Sequence, residues 1–108
     1  MHNDVRKLAH FERLVMTAVY LLRGEGYSVN ITDKVTELSG RRAMLGAVYV
    51  ALDRLERRGL LTSSISEPEP VRGGKSKRFF TVTPAGERAL AHWKAITTQI
   101  IDALGDLT

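Results

Sequence analysis

Residues 44–83 read Met-Leu-Gly-Ala-Val-Tyr-Val-Ala-Leu-Asp-Arg-Leu-Glu-Arg-Arg-Gly-Leu-Leu-Thr-Ser-Ser-Ile-Ser-Glu-Pro-Glu-Pro-Val-Arg-Gly-Gly-Lys-Ser-Lys-Arg-Phe-Phe-Thr-Val-Thr. Two rhythms meet in this stretch. Leu45, Val48, Leu52 and Leu55 recur at spacings of three and four, which predicts a helix over 44–58, closed by Gly59. Its opposite face carries Gly46, Val50, Asp53 and Arg57, flanked by Tyr49 and Arg54. The pattern then turns to short β-prone runs, Leu60–Glu67 and Lys77–Thr83, rich in Ser, Thr, Phe and β-branched residues. Pro68, Pro70, Gly73 and Gly74 lie between them, so the reading is two antiparallel strands joined by a long loop.

Working outward, Leu8, Phe11, Leu14, Val15, Ala18, Leu21 and Leu22 predict an amphipathic helix over 5–22, stopped by Gly24 and Gly26. A second helix spans 28–39, with Ser28 as N-cap, Val29, Ile31, Val35 and Leu38 as its apolar positions, and Gly40 as its stop. Downstream, Thr83-Pro84 is a helix start, with Thr as N-cap and Pro in the first turn, where its missing N–H costs nothing. That last helix runs to about Leu104, roughly 30 Å at ~1.5 Å per residue.

At 108 residues the chain is one small, mainly α domain with a two-stranded hairpin. With no cysteine it has no disulfide, thiol nucleophile or thiolate-bound zinc. No apolar run approaches a membrane span, and the first ten residues show no signal-peptide pattern; a cytoplasmic location is expected. His2, His10 and His92 share no ligand spacing, so no metal is expected. No serine has an evident His/Asp set, and no cofactor or enzymatic activity is expected. Gly73-Gly-Lys-Ser76 lacks the spacing and the following helix of a phosphate-binding P-loop.

The net charge is +4, and its position matters more than its sum. From Arg41 to Arg78 nine Lys/Arg face four Asp/Glu, a net of +5; the remaining residues carry seven against eight. Three helices followed by a hairpin make a winged helix-turn-helix, whose third helix is narrow enough for a DNA major groove. The basic block spans that helix and the hairpin, the two elements that would meet phosphate. The candidate DNA-binding residues are therefore Arg41, Arg42, Gly46, Ala47, Tyr49, Arg54 and Arg57 around the third helix, with Arg72, Gly73, Gly74, Lys75, Lys77 and Arg78 in the wing. Small Gly46 and Ala47 permit close approach of the helix backbone. Arg54 and Arg57 either hold phosphate or pair with Asp53 or Glu56.

On the last helix Leu90, Trp93, Thr97, Ile100, Leu104 and Leu107 form a heptad-like seam. Together with Leu8 and Phe11 of the first helix it predicts a symmetric dimer interface; the alternative is a helix folded back onto its own domain.

Phe11-Glu-Arg-Leu-Val15, Gly26-Tyr-Ser-Val29, Gly46-Ala-Val-Tyr-Val-Ala-Leu-Asp-Arg-Leu-Glu-Arg-Arg-Gly-Leu60, Glu67-Pro68, Arg72-Gly-Gly74, Lys77-Arg-Phe-Phe80 and Thr83-Pro-Ala-Gly86 together resemble the PadR-like transcriptional regulators of bacteria. The resemblance covers residues 8 to 90, and the short tail is similar to the subgroup with a single C-terminal helix. It implies a DNA-binding unit at 1–83 and a dimerisation helix at 84–108. It further implies a homodimer on an inverted-repeat operator, usually a repressor, often released by a small molecule. Tyr49 would then touch a phosphate or base edge; otherwise it packs on the second helix. Trp93, with Phe11, would line a pocket for a flat aromatic or cationic effector. Two other function classes remain at this stage: a winged helix used only for protein contact, and a small enzyme or ligand carrier.

Overall fold

The computed structural model describes residues 8–66 and 76–107. The elements are α1 (His10–Leu21), α2 (Ser28–Ser39), α3 (Leu45–Arg57), β1 (Leu61–Ile65), β2 (Arg78–Val82) and α4 (Pro84–Leu104), in that order. The first three helices enclose the core, and the antiparallel hairpin β1–β2 follows, pairing Leu61 with Val82 and Ile65 with Arg78. A single bridge residue, Gly26, flanks β2: the Phe80 N–H donates to the Gly26 carbonyl at 2.9 Å. The hairpin is thereby fastened to the α1–α2 connection.

The core unites Val15, Met16 and Val19 of α1, Ile31 and Val35 of α2, Val48, Leu52 and Leu55 of α3, and Leu61 and Phe80 of the hairpin. At ~1.5–3 kcal/mol per buried large aliphatic side chain, this cluster supplies most of the drive to fold. One ion pair lies at its edge. Glu12 is almost wholly buried; its Oε1 accepts from the Ala9 N–H at 3.1 Å and from Arg58 Nη1 at 3.4 Å, joining the start of α1 to the end of α3.

Element order and class agree with the sequence reading, and Thr83 caps α4 as expected. Its hydroxyl accepts from the Gly86 N–H at 3.0 Å and donates to the Gly59 carbonyl at 2.7 Å. Several details differ. Ser28 is the first helical residue rather than the cap; Tyr27 holds the cap position, and its N–H is met at 2.8 Å by the Asn30 side chain. Described α1 starts at His10, with Leu8 and Ala9 ahead of it outside the helix. It ends at Leu21, where Arg23 and Gly24 take positive φ; Gly26 serves the sheet instead of the helix end. Leu45, expected in the core, opens α3 and is exposed, as are Leu21, Val29 and Leu38 on their helices. Met16, Val19 and Ala51 are buried in their stead, because two packing neighbours widen each helix's inward face beyond a single 3–4 row.

Candidate nucleic-acid interface

The turn between α2 and α3 is built locally. Gly40 adopts a left-handed conformation at φ 71°, which only glycine takes without strain. The Ser39 hydroxyl accepts from the Arg41 N–H at 3.1 Å and donates to the Arg41 carbonyl at 3.0 Å. The Thr36 hydroxyl then accepts from the Ala43 N–H at 2.9 Å, tying the entry of α3 to the last turn of α2. This leaves Arg41 and Arg42 exposed immediately ahead of α3.

The inward face of α3 is fixed by Val48, Ala51, Leu52 and Leu55, so its outward face is fixed too. Gly46, Ala47, Tyr49 and Arg54 are exposed, as the sequence pattern requires. Tyr49 is 55% exposed, so packing against α2 does not account for it. Arg57 is exposed but forms an i,i+4 pair with Asp53 at 2.9 Å. Arg41, Arg42 and Arg54 have no acidic partner among the described residues.

The wing contributes Lys77, just ahead of β2, and Arg78, its first residue, which differ sharply. Lys77 is exposed, with its ammonium 4.3 Å from the centre of the Tyr27 ring. Arg78 is half-buried and fully engaged by its own chain. Its Nη2 pairs with Glu56 Oε1 at 2.5 Å, its Nε donates to the Ser63 hydroxyl at 2.9 Å, and its guanidinium lies 5.1 Å from the Phe80 ring centre. Ser63 in turn donates to Glu56 Oε2 at 2.8 Å. This Glu56–Ser63–Arg78 cluster joins the last turn of α3 to both wing strands. Arg72, Gly73, Gly74 and Lys75 lie outside the described residues.

Of the residues expected at a dimer contact, Leu8 is 7% exposed and belongs to the chain's own core, and Phe11 is half-buried against it. Gly86, Ala89 and Leu90 seat the first turns of α4 on the domain. Trp93 meets α1 through Arg13, whose guanidinium carbon lies 5.7 Å from the ring centre. Thr97 is half-buried, and Ile100 and Leu104 stand in solvent in the single chain. Ile96 and Ile101 widen that apolar strip and were not in the sequence-based seam. Met44, Leu45 and Val50, exposed around the start of α3, were likewise not picked out as site residues. Burial patterning marks only which residues face inward; it does not distinguish an apolar residue left outside for a partner.

A helix-turn-helix braced by a hairpin, with unpaired arginines at the exposed face of the third helix, defines a winged-helix protein. The sequence model of the transcriptional regulator PadR-like family matches residues 18–92, more than half of the chain. The chain belongs to that family, and it is therefore a DNA-binding transcriptional regulator rather than an enzyme. Solved structures agree on the fold. A PadR family transcription regulator from hypervirulent Clostridium difficile R20291 is 23% identical, with a TM-score of 0.71 over 89% of this chain and 95% of that one. The PadR family regulator of Eggerthella lenta DSM 2243 is 26% identical, with a TM-score of 0.68 over 87% and 80%. BpsR of Bordetella bronchiseptica, whose DNA binding is regulated by 6-hydroxynicotinic acid, is 23% identical, with a TM-score of 0.68 over 94% and 69%. Comparison with the curated proteins found no match. Among the described residues, no helix is long and apolar enough to cross a membrane.

Proposed function

We propose that the protein is a cytoplasmic homodimeric repressor that binds an inverted-repeat operator and is released by a flat small molecule. Residues 1–83 form its DNA-binding unit and 84–108 its dimerisation helix. The observation that carries this reading is the exposed apolar strip of Ile96, Ile100, Ile101 and Leu104 on α4, continued by Leu107 just beyond it, in a chain whose basic face suits DNA. A two-fold pairing of α4 with its copy removes that strip from water and presents two copies of α3 to one duplex. Sedimentation equilibrium with an inverted-repeat duplex tests it. Two chains per duplex is the expected result; one chain per site refutes the dimer.

Arg41, Arg42, Arg54 and Lys77 are the phosphate-facing cations, since no acidic group neutralises them among the described residues. Arg78 has a different task, positioning the wing against α3. The two roles separate in a salt titration. Lys77→Ala is expected to lower the slope of log affinity against log salt by ~0.9, the release of one counterion. Arg78→Ala leaves the slope unchanged but lowers stability by about 1–2 kcal/mol, as loss of a charge-assisted hydrogen-bond cluster should. A slope change in Arg78→Ala reverses that assignment.

The effector reading rests on Trp93, the one tryptophan of the chain. Arg13 already lies over its ring, which disfavours a second cation there and leaves a flat aromatic molecule as the better occupant. Quenching of Trp93 fluorescence by a planar aromatic dye, with a parallel fall in DNA affinity, is expected. Quenching without any change in DNA affinity removes the regulatory role.

A further inference from the structure

Apart from Tyr49 at its edge, the exposed face of α3 has no side chain suited to hydrogen-bonded base reading in its first two turns. Gly46 and Val50 occupy its centre, and the first charged groups below them, Asp53 and Arg57, are bound to one another. Met44 and Leu45 precede Gly46, at 65% and 47% exposure, and Val50 is 57% exposed. Four apolar side chains in water, counting the body of Tyr49, lie between Arg41 and Arg42 on one side and Arg54 on the other. Folding alone gives no reason for this. The cations flanking the patch suit a polyanion, which points to nucleic acid as what covers it.

Gly46 points the same way. Its φ is not positive, and a Cβ built on it meets nothing within 4 Å. Gly46 is the second residue of α3, where glycine costs less than the ~0.5–1 kcal/mol of a helix interior, yet the chain still forgoes some stability at a position where its own packing would accept a side chain. Something outside the chain must approach there.

In the DNA major groove the one apolar feature of a base edge is the C5 methyl of thymine. We propose that this protein reads its operator by apolar contact of Val50, aided by Leu45, with thymine methyl groups, the missing side chain of Gly46 letting α3 sink to that depth. The inference rests on α3 as the groove-entering helix. Val50 is then the specificity-determining residue, and Tyr49 supplies the hydroxyl contact beside it. The arginines fix position and affinity without choosing sequence.

The test begins with duplexes selected by the protein from a randomised 30-base-pair library. Thymidines in a selected duplex are replaced singly by deoxyuridine, which removes the methyl alone. At one or two positions per half-site, affinity is expected to fall about fourfold, the effect of unburying one methyl-sized group. Val50→Ala should bind the thymine and uracil duplexes equally at those positions. Its thermal midpoint should change little, since the side chain is 57% exposed. Gly46→Ala should keep or raise the midpoint and weaken binding to the selected duplex at least tenfold. If every uracil duplex binds as tightly as its parent while 7-deazaguanine substitutions weaken binding, the readout is by hydrogen bonds and the proposal fails. If Val50→Ala retains full sensitivity to the methyl, Val50 is not the reader. Absence of any DNA binding by the wild type would instead overturn the operator-binding function on which the proposal rests.

Discussion

Replacing Ile100 and Leu104 together by aspartate should convert the protein to a monomer and lower its affinity for an inverted-repeat duplex by roughly 10²–10⁴-fold. Both side chains are exposed in the single chain, so the substitutions cost its own fold little. In a two-fold interface the same changes place four carboxylates in an apolar contact, and each pays several kcal/mol of desolvation without a partner. The two reading heads then bind separately, and the gain from linking them is lost. Helical circular dichroism should be retained, which separates dissociation from unfolding. Size-exclusion chromatography with light scattering reads the mass directly. A dimer that survives both aspartates places the interface elsewhere.

Gly86→Ala should destabilise the protein by about 3 kcal/mol, the upper range for forcing one methyl into a filled site. In a domain of this size that lowers the thermal midpoint by roughly 15 °C. The added Cβ would overlap the Leu60 carbonyl oxygen and come within 2.7 Å of Val82 Cγ1 and 3.1 Å of Met16 Cε. Two of these neighbours cannot yield: the carbonyl also accepts from the Thr83 N–H at 3.1 Å, and Val82 sits in the β-ladder opposite Leu61. The first turn of α4 would have to lift from the hairpin. Because α4 carries the proposed dimer strip, DNA affinity should fall with stability. Gly46→Ala is the matched control. It adds the same methyl to a helix, where nothing lies within 4 Å, and no loss of stability is expected. Equal destabilisation by both would mean that close packing does not set the cost at Gly86, since helix propensity favours alanine at both sites.

The contrast between these two glycines shows what was legible beforehand. Periodicity located every element, because each helix shows the core a coherent row and the hairpin breaks that rhythm. Thr83-Pro84 fixed the start of α4 to the residue, since capping is a local interaction. Three-dimensional pairings were not legible. Arg78 reads as one more cation of a basic wing, and only the return of the hairpin brings it against Glu56, twenty-two positions earlier. Sequence pattern assigns Leu8 to a dimer contact and Leu45 to the core; chain geometry buries the first in the chain's own core and leaves the second exposed. Val50 was seen to face outward, yet an outward valine has no signature separating a solvated side chain from a base-reading one. Trp93 stands out as the one tryptophan, but its neighbour Arg13 lies eighty positions earlier in the chain, beyond reach of any local pattern.

The proposed DNA-facing surface comprises the α2–α3 turn, the exposed face of α3 and the wing. Amide chemical-shift mapping of the isotope-labelled protein, titrated with a selected duplex, tests this most directly. The largest shifts are expected at residues 41–50, with a second group at 76–78, while the exposed end of α4 stays unperturbed beyond 100. Shifts concentrated on α4 or on the outer surface of α1, with α3 silent, would contradict it.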